Sequence, residues 1–175
     1  ATCAIALWKS IRLDKYIEQK RMELSREYLF EKIVLLPRRR FLLLIKQLVR
    51  HMGYRVVCEH PLGLLCEANE NSAFILALQN HPENKVSVQQ LLDSYREIQQ
   101  LGVDECLIIA TAPLTDSAHA FLHELQGLQC QVLNRQKILD LAQRQGLLPD
   151  AKEVEQALLE KLEELTGHEV LYDIP

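Results

Sequence analysis

Several absences narrow this chain before any of its motifs is read. No glycine-rich phosphate loop and no G-x-S-x-G elbow occur, which removes the main sequence signals of a nucleotide-binding loop and of a hydrolase nucleophile. The five cysteines, at positions 3, 58, 66, 106 and 130, include no C-x-x-C pair. The last four fall in stretches that read as strand, so they are expected as buried free thiols in a reducing compartment. His119 and His123 stand at i, i+4 in "SAHAFLHEL" without a third ligand nearby, and are expected as exposed helix histidines rather than a metal site. No apolar run reaches the roughly 20 residues that a bilayer-crossing helix needs. The opening "ATCAIALW" would span only about 12 Å as helix. It reads either as the inner end of a transmembrane helix, with Trp8 at the interface and Lys9 and Arg12 on the inside, or as a short buried helical turn. No cleavable signal peptide is recognisable.

What the chain does have is apolar residues, 48% of 175, enough for one ordinary core with a helical extension. Its net charge of −4 conceals an asymmetry. Residues 1–55 hold 13 Lys and Arg against 5 Asp and Glu, and the remainder holds 7 against 19. The basic N-terminal part is either directed at an anionic surface, lipid headgroup or phosphodiester, or is a solvated face of mixed charge.

Along the chain, residues 11–34 read as a long charged helix with a thin apolar stripe of Leu13, Ile17, Leu24 and Tyr28. Pro37 suits the first turn of a new helix. From Phe41, the residues Leu44, Ile45, Leu48, Val49 and Met52 keep helical spacing, and Gly53 is the stop. Tyr54 to Glu59, Leu64 to Ala68 and Ala73 to Gln79 read as an antiparallel meander separated by short polar or Gly/Pro breaks. A helix from Val88 to Leu101, the strand "ECLIIATA", a helix capped by Thr115, the strand "CQVLN" and a helix from Gln136 to Gln145 follow. The order is α-βββ-α-β-α-β-α, an α/β fold with a mixed sheet of about five strands flanked by helices. Residues 1–36 are expected as a helical extension, 37–146 as the domain, and 147–175 as an acidic helix, 151–165, with a tail.

The wording of these segments, "FLLLIKQLVRHMGYRVV", "NKVSVQQLLDSYREIQQLGVDECLIIATA", "LTDSAHAF" and "CQVLNRQKILDLA", resembles the Mrr-type branch of the restriction-endonuclease-like (PD-(D/E)XK) superfamily over roughly residues 37–146. The resemblance implies DNA cleavage with Mg²⁺: an aspartate on the second strand, an acidic residue or glutamine on the third, one spacer, then a lysine that orients water. The implied positions hold Leu65, Leu78 and Asn80. Leucine cannot ligate a metal, and asparagine carries no ammonium charge. A shift of one residue offers Gln79 and His81, still without a lysine, and Glu67 and Lys85 are the displaced acid and base for an active enzyme.

Two functions follow. The first is a catalytically inactive nuclease-like domain that binds DNA or protein and needs no cofactor, located in the cytoplasm or, if "ATCAIALW" ends a bilayer helix, on the cytoplasmic face of a membrane-anchored assembly. In it, Arg38, Arg39, Arg40, Lys46, Arg50 and Arg55 are the candidate phosphate contacts, and no metal is expected. The alternative is a Mg²⁺-dependent Mrr-type endonuclease using Glu67, Gln79 and Lys85.

Overall fold

The computed structural model describes residues 2–125 and 127–147 together with 154, 156, 159 and 160, the side chains of 2–10, 13, 14 and 17 excepted. The chain divides into two compact units, one of residues 1–31 with 148–175, the other of residues 32–147.

Helix α1 (Thr2–Val34) is continuous, so residues 2–8 are not a separate turn; among the described residues, no helix is long and apolar enough to cross a membrane. Within the apolar stripe expected on it, Tyr28 is half-buried. Leu24 is 52% exposed, whereas Leu29 and Phe30 are buried. Leu13 and Ile17 lie outside the described side chains, and most of the acidic segment 151–165 lies outside the described residues.

In the 32–147 unit, α2 (Arg38–His51) forms where the spacing places it, with Phe41, Leu44, Ile45, Leu48 and Val49 all buried. Pro37 sits at the N-cap, one residue before the helix, and its carbonyl accepts from the N–H groups of Arg40 and Phe41. Gly53 adopts φ +93°, a left-handed geometry that stops the helix without a Cβ penalty.

The meander follows as β1 (Arg55–His60), β2 (Gly63–Ala68) and β3 (Asn71–Leu78), antiparallel throughout, with a bulge between Val56 and Cys58. Gly63 is required at the β1–β2 corner, because a Cβ there would stand 1.8 Å from the Ile75 carbonyl oxygen. Two parallel strands complete the sheet: β4 (Glu105–Ala110), reached through α3 (Val88–Gln100), and β5 (Gln129–Leu133), reached through α4 (Asp116–Glu124). α5 (Arg135–Arg144) closes the unit. The sheet order is β1-β2-β3-β4-β5, with antiparallel and parallel halves meeting at β3.

β3 is buried on both sides, as the central strand of a covered sheet must be. Its even residues Phe74, Leu76 and Leu78 share a core with Cys106, Ile108 and Ala110 of β4, Leu91 and Ile98 of α3, and Ala118 of α4. Its odd residues Ala73, Ile75 and Ala77 face the other side by alternation, and α2 packs against β1 and β2. Ser87, Thr115 and Asn134 cap α3, α4 and α5 by accepting from Gln90, Ala118 and Lys137 backbone N–H groups. Asn134 directly follows the carboxyl end of β5, while Ser87 and Thr115 close the loops that leave the carboxyl ends of β3 and β4, and an isolated bridge between Val86 and Leu114 joins those two loops.

The cysteine expectation needs correction. Cys66 and Cys106 are buried, but Cys58 is exposed and Cys130 half-buried, because both lie on the edge strands β1 and β5, where only one neighbour covers them.

Candidate functional site

The carboxyl end of β3 is where the resemblance implies the catalytic side chains. Leu78 ends the strand only 6% exposed, inside the core shared with α3 and α4. Beyond it, Asn80 is held from every side. Its N–H donates to the hydroxyl of the buried Thr111 at 2.8 Å, and that hydroxyl lies 2.7 Å from the Asn80 carbonyl oxygen. Its side-chain amide pairs reciprocally with that of Gln90: Asn80 Nδ2 donates to Gln90 Oε1 at 3.0 Å and Gln90 Nε2 donates to Asn80 Oδ1 at 3.1 Å. Asn80 Nδ2 also reaches the Asn84 carbonyl at 3.3 Å. A carboxamide pair of this kind is neutral and supplies both donors and acceptors, so it closes on itself without a cation.

Gln79 points to the other face and serves a different element. Its Nε2 donates to the carbonyls of Val34 at 2.9 Å and Leu36 at 2.6 Å, taking up orphan acceptors at the end of α1. His81 and Lys85 are exposed in the following loop.

The register decides which β2 residues stand beside this end. Gly63 pairs with Leu76, so the chain opposite Leu78 lies before β2, towards Leu62 and Pro61. Leu65 pairs with Phe74 instead, four residues or roughly 13 Å back along β3 from Leu78, although it packs on the same core. Glu67 pairs with Ser72, eight residues or roughly 26 Å from Asn80 along the extended chain. There its carboxylate makes an ion pair with Arg55 of β1. Glu67, Gln79 and Lys85 are therefore not brought together: one is at the far end of the sheet, one on the opposite face, one in solvent. Among the described residues, no three His, Cys, Asp or Glu side chains are grouped to hold a metal ion, and His119 and His123 are exposed on α4.

The six basic candidates separate into two kinds. Arg38 is half-buried, with Nη1 donating to the Ala77 carbonyl at 2.8 Å and Nη2 to the Pro61 carbonyl at 3.0 Å, and its guanidinium lies over the Phe41 ring. Burial pushes its pKa below the usual arginine value. It is a tie between α2, β3 and the β1–β2 corner. Lys46 pairs with Glu59 at 3.0 Å, and Arg55 with Glu67. Arg39, Arg40 and Arg50 differ: all three are exposed on α2, and none has an ion-pair partner among the described residues. Arg39 and Arg50 are separated by three helical turns and so share one face, about 16 Å apart, with the half-exposed Leu43 between them.

No family model and no curated protein matches the chain in sequence. Among solved structures, the DNA modification-dependent restriction endonuclease AspBHI superposes with a TM-score of 0.59 at 14% identity, over 77% of this chain and 38% of that one. A protein of unknown function, AF1548, gives a TM-score of 0.45 at 11% identity over 79% of this chain and 99% of its own. The fold is restriction-endonuclease-like. The five-stranded mixed sheet with its flanking helices is the arrangement expected from the element order, and the chain spans 38% of the length of the restriction enzyme that shares it.

Two residues of the β3 end were missed at the level of sequence. Thr111 and Gln90 hold Asn80, yet neither was singled out. Gln90 did carry a signal, since Ser87-x-x-Gln90 has the form of a capping box. Ser87 does cap Gln90's N–H, but the Gln90 side chain turns to Asn80 rather than back to the Ser87 backbone.

Proposed function

We propose that residues 32–147 form a nuclease-like DNA-binding domain of the Mrr type that does not cleave, gripping the phosphate backbone through Arg39, Arg40 and Arg50. The observation that carries the proposal is the three arginines on α2. Among the described residues they have no carboxylate partner, and Arg39 and Arg40 sit in the first helical turn, where the helix dipole repels positive charge and no acidic residue of that turn offsets it. Charge held where it opposes its own helix is accounted for by an external anion, and phosphodiester supplies one at regular spacing. The restriction endonuclease with the same fold acts on DNA by its name. Loss of cleavage is supported by the β3 end, where Leu78 fills the core and the Asn80–Gln90 pair offers neither a metal ligand of charge nor an ammonium group.

Fluorescence anisotropy with a labelled duplex over a salt series tests both parts. Binding is expected at low salt, with log K falling against log [salt] by about 0.9 for each phosphate neutralised, and the slope shrinking by about that amount for each arginine replaced by alanine. No binding at any salt concentration sinks the proposal. Plasmid incubated with Mg²⁺ or Mn²⁺ is expected to remain intact, and cleavage that disappears in Glu67→Ala would reinstate a displaced active site.

A further inference from the structure

Cys106 of β4 and Cys130 of β5 are register partners in the parallel half of the sheet. Neighbouring strands lie about 4.8 Å apart, so the two Cα atoms fall inside the roughly 4.4–6.8 Å range that a disulfide spans. Both side chains are on the face covered by α3 and α4, and both line one apolar pocket with Tyr95, Phe121, Leu125 and Leu128. Their exposures differ. Cys106 is 3% exposed, whereas Cys130 on the edge strand is half-buried. No other described pair is so placed: Cys66 pairs with Val56 and Cys58 with Leu65.

We infer that Cys106 and Cys130 form a two-electron redox site, a dithiol that closes to a disulfide across β4 and β5 when it meets a low-molecular-weight disulfide R–S–S–R. Cys130 reacts first. Its thiolate attacks one sulfur of the oxidant, forming Cys130–S–S–R and releasing RS⁻, which takes up the proton Cys130 gave up. The Cys106 thiol then gives up its proton and its sulfur attacks Cys130 Sγ, expelling the second RS⁻, which leaves as RSH. The two cysteines lose two hydrogens and the oxidant becomes two thiols. The electrostatics follow the same order, since a hydrogen bond from Cys106 holds the Cys130 thiol below its usual pKa while the same contact and burial push Cys106 up. The bond would staple the edge strand β5 to β4.

The test is oxidation of the full chain with glutathione disulfide, followed by thiol counting, intact mass and peptide mapping. The expected result is loss of two of the five thiols, a mass lower by two hydrogens, and one cross-linked peptide pair joining Cys106 to Cys130, reversed by dithiothreitol. Cys106→Ser is expected to stop at a stable glutathione adduct on Cys130, and Cys130→Ser to leave Cys106 unmodified. Wild-type mapping needs no variant to fold. A map that joins any other pair, an adduct on Cys130 that persists in the wild type, or all five thiols surviving overturns the inference.

Discussion

Leu78 is packed with Phe74, Leu76, Leu91 and Ile108, on the strand end for which the resemblance implies an acidic residue or glutamine. A side chain so placed works for the core. Leu78→Ala is expected to cost about 2–5 kcal/mol, measured as a lower denaturation midpoint at unchanged m-value. A cost under about 1 kcal/mol would mean that Leu78 merely lids an open pocket. At this scale the sequence was informative about chemistry and silent about partners. That leucine cannot ligate Mg²⁺ and that asparagine carries no ammonium charge to orient water follow from their atoms alone. That Asn80 is held by Gln90 and Thr111 follows from β3 and β4 running side by side, which no local pattern encodes.

Among the elements, α2 shows the difference between what makes a helix and what burdens it. Its five buried apolar residues recur at helical spacing and were legible directly. Its start is poor by every local rule: Pro37 supplies no side-chain cap, no acid lies in the first turn, and three arginines do. Arg39→Glu reverses the sign of one charge beside the dipole. It is expected to raise stability by about 0.3–1 kcal/mol at low ionic strength, read by thermal denaturation, while weakening duplex binding in the anisotropy titration. A fall in stability would assign Arg39 a structural partner, as Arg38 has in Ala77 and Pro61. From sequence, Arg38, Arg39 and Arg40 were equivalent members of one run. Only the approach of β3 and the β1–β2 corner separates the first from the other two.

Across the whole molecule, the meander and the parallel half are joined through the β3–β4 ladder, and a charged contact reinforces it at the start of β3. Ser72 donates from N–H at 2.9 Å and from its hydroxyl at 2.8 Å to Asp104 Oδ2, and Asp104 N–H returns to the Ser72 carbonyl at 3.0 Å. These bonds hold the Asp104 carboxyl below its usual pKa. The native state therefore binds the proton less readily than the unfolded chain. The stabilisation is present above the unfolded value of about 3.9 and is lost as pH falls through the lower folded value. Stability of the wild type is expected to drop more steeply than that of Asp104→Asn as pH falls below about 4, and parallel profiles in urea titrations would refute the assignment. The sequence by itself determined the parts of this protein: the helices and strands, because periods of 3.6 and 2 are written in consecutive residues, and the stops at Gly53, Gly102 and Gly146, because a left-handed backbone needs no Cβ. The tertiary structure decided who meets whom. Strand register took Glu67 to the far end of the sheet, turned Gln79 to the end of α1 and set Cys106 against Cys130, because pairing across strands depends on distant backbone that no short stretch of sequence contains.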